Sequence, residues 1–189
     1  DDLLSHGVKG VIVVSSLAEQ SHFQEATQRG LTLVNYDCRT LEGSTDKPAA
    51  DNIYMDNVEA GHMAACHLLA SGCQRIAFAT ASGRTISRRD KIEGFLAAAR
   101  EAGLATQAQV IEGRAKTAYG DAELAELGIQ LAREIAAMPT RPDGVVAIND
   151  MVAIGLMAGL RQCALRVPED ISVIGIDDIP LAALVSPAL

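Results

Sequence analysis

Aromatic residues are scarce in this 189-residue chain, at 3% of the total, and tryptophan is absent. A flat platform on which a sugar or base could stack is therefore not evident. Long apolar runs are also missing, since no segment reaches the roughly 18 consecutive apolar residues of a membrane span. Nevertheless 49% of the residues are hydrophobic. Burial on that scale can offset the entropy of ordering, so the composition indicates a soluble globular protein.

Positive charge is limited as well. The formal net charge is −8, and the basic residues cluster only at Arg88-Arg89 and Lys91. A surface of that sign repels phosphate backbones. Residues 1–189 are therefore not expected to hold nucleic acid by themselves.

The four cysteines, Cys38, Cys66, Cys73 and Cys163, are widely spaced. This spacing favours reduced, mostly buried thiols over a disulfide framework, and with it a cytoplasmic location. The chain begins at Asp1 without an initiator Met, so we expect it to be a fragment. The absence of a visible targeting segment then carries little weight.

Sequence patterns typical of cofactor binding and hydrolysis are absent. There is no phosphate loop, no Gly-x-Gly-x-x-Gly after a strand and no Gly-x-Ser-x-Gly elbow. His62 and Cys66 are one helical turn apart and Cys73 follows, but a catalytic zinc site requires three well-placed ligands. A packed helix with incidental His and Cys is the better interpretation, and neither a cofactor nor a metal site is predicted.

Two kinds of segment alternate along the chain. The predicted strands are short apolar runs at residues 10–14, 31–34, 75–79, 109–111, 144–148 and 171–176, with 52–55 more ambiguous. The predicted helices are 58–71, a segment that Ser87 caps and that carries Phe95 on its apolar face, 124–138 and 151–160. This alternation predicts an α/β protein whose parallel sheets are flanked by helices.

Polar residues follow several of these strands. The pair Asn149-Asp150 and the pair Asp177-Asp178 each come directly after an apolar run. Asp37 comes three residues after another such run, which ends at Val34. Right-handed crossovers bring the carboxyl ends of parallel strands to one edge of a sheet, where ligands bind. Carboxylates and amides there suit a small polar ligand rich in hydroxyls or hydrogen-bonding nitrogens.

Each of these residues also has a structural interpretation. We assign Asp177 to ligand and Asp178 to bracing the turn, a common role of aspartate. Either Asn149 or Asp150 could cap the helix that follows. The cations at residues 88–91 oppose the dipole of their helix, which favours a functional reason for one of them.

Two stretches resemble the LacI/GalR family of bacterial transcriptional regulators. They are RPDGVVAIND at residues 141–150 and VPEDISVIGIDDI at 167–179, separated by an apolar helix. The run from Met55 to Phe95 is similar to that family in order and spacing, so the resemblance covers almost the whole chain. It implies a periplasmic-binding-protein-like type I fold of two Rossmann-like lobes, with the N-terminal lobe incomplete.

The resemblance also implies how the chain is organised. We expect lobes at residues 1–71 and 72–189, with the boundary near Gly72 and a small-molecule effector between the lobes. A homodimer is implied, as is a helix-turn-helix head for operator DNA that lies outside these residues. The ending at 186–189 resembles the point where family chains return to the N-terminal lobe, so we expect truncation at both ends.

Site residues are carried over by position. Asp37, Asn149 and Asp177 match effector-contacting positions of the family. Lys91 stands where the family typically has an arginine. Lysine offers a point charge in place of the planar guanidinium fork of arginine. Ser87 is a secondary candidate.

The sequence thus predicts the effector-sensing and dimerisation core of a LacI-type regulator, not an enzyme, with a sugar or nucleoside-like ligand. The alternative is a periplasmic sugar-binding protein of an ABC transporter or chemoreceptor system. The unpaired cysteines and the sequence VPEDISV at residues 167–173 favour the regulator. An enzyme on a doubly wound sheet is the third hypothesis, because a fold alone does not fix a function.

Overall fold

The structure is a computed structural model that describes residues 2–14, 21–36, 51–83, 85–114 and 120–189. The chain divides into two compact units. One comprises Asp1–Asp56 with Arg84–Arg89, and the other comprises Asn57–Gly83 with Asp90–Leu189.

The first unit contains a small parallel sheet. Its elements are α1 (Asp2–Ser5), β1 (Gly10–Val14), α2 (Ser21–Gln28), β2 (Thr32–Tyr36) and β3 (Asp51–Ile53). The strand order is β1-β2-β3, with Gly10 opposite Thr32 and Val34 opposite Asp51. Leu31 and Leu33 form the buried centre of this unit.

The second unit contains a four-stranded parallel sheet. Its strands are β4 (Ile76–Ala81), β5 (Ala108–Gly113), β6 (Gly144–Ala147) and β7 (Ser172–Ile174), in the order β5-β4-β6-β7. Every residue of β4 and β6 is buried. Central strands with no polar face need cover on both sides, which explains their continuous apolar sequence.

Helices cover both faces of this sheet. They are α3 (Asn57–Ala70), α4 (Ile86–Glu101), α5 (Asp121–Ala136) and α6 (Asp150–Gln162). Alternate β4 side chains point to opposite faces. Phe78 packs with α3 and α4, its ring centroid 5.5 Å from that of Phe95, whereas Ala77 and Ala79 pack with α5 and α6. The sheet therefore has two cores.

Glycines let the helices of each pair approach closely. A Cβ at Gly61 of α3 would collide with the backbone carbonyl of Lys91, and one at Gly94 of α4 would collide with that of Val58. Gly155 of α6 faces the backbone of α5 in the same way. Backbone-to-backbone contact fixes the position of α4, the helix that carries Lys91.

The structure confirms the predicted fold class of parallel sheets flanked by helices. Each predicted strand forms, and the ambiguous segment becomes β3. Among the described residues, no helix combines the length and hydropathy needed to cross a membrane.

Two details differ from the sequence interpretation. Thr85, not Ser87, caps α4, because its Oγ1 accepts the Arg88 N–H at 3.3 Å. Cys73 is buried and Cys163 half-buried, but Cys66 is exposed, so the three thiols that the structure describes are not mostly buried; Cys38 lies outside the described residues. The lobe boundary near Gly72 stays a prediction; in the structure the second compact unit begins at Asn57, and α3 packs on its sheet.

Candidate functional site

The carboxyl ends of β6 and β7 lie side by side. Val146 is opposite Ile174 in the parallel register, so the segments that follow both strands leave the sheet at the same edge. Asn149 and Asp150 follow β6, and Asp177 follows β7. The sequence motifs singled out above thus converge at one edge of the second sheet.

The turn after β7 has an unusual backbone. Asp177 and Asp178 have φ angles of 124° and 54°, in the left-handed region that non-glycine residues seldom adopt. Two hydrogen bonds to Asp150 secure the turn. The Ile179 N–H donates to Asp150 Oδ2 at 2.8 Å, and the Asp150 N–H donates to the Ile176 carbonyl at 2.9 Å. This conformation presents the Asp177 side chain at the sheet edge.

Asp150 itself is buried, with 3% of its surface exposed. Its carboxylate fits under the turn because residue 175 is glycine, where a Cβ would collide with Asp150 Oδ1. The sequence interpretation gave the bracing role to Asp178. The structure corrects this, because within the described part of the chain the Asp178 carboxylate has no hydrogen-bonding partner while Asp150 holds the turn.

Asn149 is the N-cap of α6. Its Oδ1 accepts the Val152 N–H at 3.0 Å, which satisfies one of the free donors of the first helical turn. The amide oxygen is therefore engaged within the protein. The amide nitrogen is the group that Asn149 can offer to a ligand as a donor.

Lys91 brings a cation to the same edge. It is half-buried on α4, and its Nζ donates to the Ile148 carbonyl at 3.4 Å, next to Asn149 in the chain. Loss of hydration raises the pKa of Asp177 even though the residue is exposed, while the charge of Lys91 lowers this pKa and that of Asp150 raises it. Lys91 and Asp177 therefore act on each other electrostatically.

The structure thus brings three of the five predicted site residues together, namely Lys91, Asn149 and Asp177. Ser87 is half-buried in the first turn of α4, within the residues grouped with the first unit. Asp37 lies outside the described residues.

Sequence reasoning missed the support that Asp150 gives to the turn. The sequence places Asp150 29 positions before Ile179 and gives no sign of their contact. The one available signal was its position at the end of the strand that pairs with β7.

The three side chains together offer hydrogen-bonding groups of different kinds. Asp177 supplies an acceptor, Lys91 a charged donor and Asn149 an amide donor. No group of three or more His, Cys, Asp and Glu side chains suits a metal ion in the part of the chain that the structure describes. These groups are suited to hydrogen bonding with a polar ligand.

Comparison with known proteins shows the family. Residues 65–189 match the family described as periplasmic binding protein-like domain. The chain belongs to that family, as an effector-binding core of the LacI/GalR type. This match covers the sheet edge that carries Lys91, Asn149 and Asp177.

Curated relatives are transcriptional repressors by name. The chain is 35% identical over 141 residues to the HTH-type transcriptional repressor PurR of Vibrio vulnificus, covering 74% of this chain and 40% of that protein. It is 32% identical over 192 residues to the ribose operon repressor of Escherichia coli, covering 100% of this chain and 54% of the repressor. The LacI/GalR-type core thus spans about half the length of these relatives.

Solved structures show the same fold. A LacI family transcriptional regulator from Enterococcus faecium with bound ribose superposes with a TM-score of 0.81 at 27% identity, covering 100% of this chain and 65% of that one. A LacI transcriptional regulator from a Rhodococcus species gives a TM-score of 0.78 at 26% identity, covering 99% and 64%.

Proposed function

We propose that this LacI/GalR-type core senses a small polyhydroxylated ligand, a sugar or nucleoside, in a repressor of transcription. The observation that carries the proposal is the convergence of Asp177, Lys91 and Asn149 at one sheet edge. Sugar hydroxyls donate to carboxylates and accept from ammonium and amide groups, so this set matches such a ligand. The regulator with bound ribose and the ribose operon repressor named above support the sugar class.

Operator binding is assigned to a helix-turn-helix head outside residues 1–189, acting in the cytoplasm. The net charge of −8 argues against DNA binding by this core itself. Ligand then controls the operator affinity of the whole protein through its different affinity for two conformational states. Relatives named as repressors favour this role over the alternatives, a periplasmic sugar-binding protein and an enzyme.

We further propose that two copies pair through the outer face of α6. A groove of about 540 Å³ there has an apolar lining that includes Ile154, Met157, Ala158 and Val185. Arg161 and Glu169 also line it. A two-fold contact sets a patch against its own copy, and a patch that carries both signs of charge is suited to that arrangement.

The ligand assignment is tested by two matched substitutions in the full-length protein. Asp177→Asn removes the carboxylate that would accept ligand hydroxyls, and Asp178→Asn makes the same change at the neighbouring residue. Asparagine has nearly the size and shape of aspartate, so both substitutions change the charge with little change in volume. We expect Asp177→Asn to weaken binding by about tenfold or more, as for a lost hydrogen bond to a charged group, and Asp178→Asn to leave it unchanged.

The measurement is a thermal-shift screen of pentoses, hexoses and nucleosides, followed by calorimetry with the best ligand. Equal affinity of the Asp177→Asn protein and the wild type would refute the site assignment. Turnover of the bound ligand by the purified protein would refute the sensor function and favour the enzyme.

A further inference from the structure

A second array of side chains lies on α3 and α4, made of residues that the candidate ligand site does not use. Cys66 is an exposed free thiol on α3. Its Sγ lies 3.7 Å from Nδ1 and 3.9 Å from Nε2 of His62, one helical turn earlier. The Nε2 atom of His62 lies 2.9 Å from Glu101 Oε2 on α4. Cysteine, histidine and glutamate are thus linked in series.

The fold holds this array in place. His62 and Cys66 share a face because they are four residues apart on a helix. Glu101 reaches His62 from another helix, 39 residues further along the chain. The contact of Gly94 with the backbone of Val58 and His62 sets the distance between the two helices. The imidazole is therefore oriented by tertiary contact, with 29% of its side chain exposed.

The order of the contacts defines the chemistry. In the tautomer with the proton on Nε2, His62 donates to the Glu101 carboxylate, which as a carboxylate can only accept. Nδ1 is then left as the basic nitrogen within reach of the Cys66 thiol. A nucleophile, a base and a residue that orients the base form the arrangement that activates thiols for attack.

We propose that Cys66 is a reactive thiol site for low-molecular-weight disulfides, with His62 as its general base and Glu101 as the residue that positions His62. His62 takes the thiol proton as Cys66 Sγ attacks one sulfur of the disulfide R–S–S–R. The S–S bond of the reagent breaks, a protein–S–S–R bond forms, and the leaving thiolate takes the proton from His62 as R–SH. The exchange consumes one disulfide and one thiol and yields one of each, so it needs no added oxidant.

Cys73 provides an internal contrast. It is buried, with 6% of its surface exposed, and its thiol donates to the Asp143 carbonyl at 3.5 Å. Burial raises the pKa of the Cys73 thiol, and Asp143 adds to that effect, although Ser172 opposes it. A protonated and inaccessible thiol does not attack disulfides. The two cysteines, seven positions apart, are therefore expected to behave differently.

The test is the reaction of the full-length protein with dithiobis(nitrobenzoate), an aromatic disulfide, at neutral pH. Release of the coloured thiolate gives the rates, and peptide mass spectrometry assigns each phase to a cysteine. We expect Cys66 to react faster than Cys73 and Cys163, and Cys66→Ser to remove its phase. His62→Gln should slow the phase by about tenfold, since an unassisted thiol is only a few per cent thiolate at neutral pH.

Two further variants make the result specific. Glu101→Gln should also slow the Cys66 phase, but by a smaller factor than His62→Gln, because it weakens the contact that positions His62 and leaves the imidazole in place. His67→Gln alters the exposed histidine that adjoins Cys66 in sequence, and should leave the rate unchanged. The proposal is overturned if Cys163 reacts faster than Cys66, or if His62→Gln and Glu101→Gln both react at the wild-type rate. If His62→Gln fails to fold by circular dichroism, Glu101→Gln decides.

Discussion

At the scale of single residues, the turn that carries Asp177 shows how the protein maintains an unfavourable backbone. Two consecutive aspartates with positive φ are costly in isolation, and such strain persists only where surrounding contacts determine it. Asp150 supplies those contacts from the neighbouring strand end, through a buried carboxylate and its own N–H. The position of Asp177 thus depends on Asp150.

This dependence can be measured with Asp150→Ala. The substitution leaves the Ile179 N–H without its acceptor, and we expect the free energy of unfolding to fall by about 1–3 kcal/mol. Ligand affinity should fall too, because the turn is no longer held. Asp150→Asn keeps an oxygen in place and is the milder control. Denaturant unfolding and calorimetry give both quantities, and wild-type affinity in Asp150→Ala would show that the turn holds Asp177 unaided.

At the scale of elements, the close crossing of α3 and α4 supports both arrays. Gly61 lies against the carbonyl of Lys91, which belongs to the candidate ligand site, and Gly94 lies against the residues around His62. Helical periodicity predicted that Phe95 faces the core, where it is fully buried. Periodicity did not show which glycines admit a neighbouring backbone, because that depends on how two helices cross.

We therefore predict that Gly61→Ala destabilises the protein. The added methyl group would collide with backbone rather than with a flexible side chain, so the helices must separate, at a cost of about 1–3 kcal/mol. Glu93→Ala, at an exposed position of α4 beside Gly94, is the control and should stay within about 0.5 kcal/mol of the wild type. Thermal unfolding compares them. A Gly61→Ala protein as stable as the control would show that the crossing can widen without cost.

At the scale of the whole molecule, we propose that the groove on α6 binds a second copy of the chain and not the small ligand. It lies on the second unit, which holds the larger cores and four of the seven strands of the described residues. Unlike the sheet edge at Asp177, its lining is mainly apolar. Such a surface suits protein contact better than a polar ligand.

The proposed pairing predicts the effect of Ala158→Glu on the mass of the full-length protein. A glutamate side chain would project into the apolar part of the groove and lose its hydration in a dimer, so we expect a shift to monomer in sedimentation experiments. Ala70→Glu, at an exposed position on α3, serves as the matched control and should leave the mass unchanged. A dimeric Ala158→Glu protein would place the contact elsewhere.

The sequence by itself determined the elements, the parallel sheets and the family, because these follow from local periodicity, short apolar strands and the stretch that ends in Asp177-Asp178. It also selected Asn149 and Asp177, since strand ends in parallel sheets share an edge, whereas Lys91 was selected through the family resemblance. Only the tertiary structure decided that Asp150 holds the turn, that Asn149 caps α6 and that Glu101 orients His62. The contacts of Asp150 and Glu101 join residues 29 and 39 positions apart, and the packing of strands and helices, not the order of residues, brings their atoms within hydrogen-bonding distance.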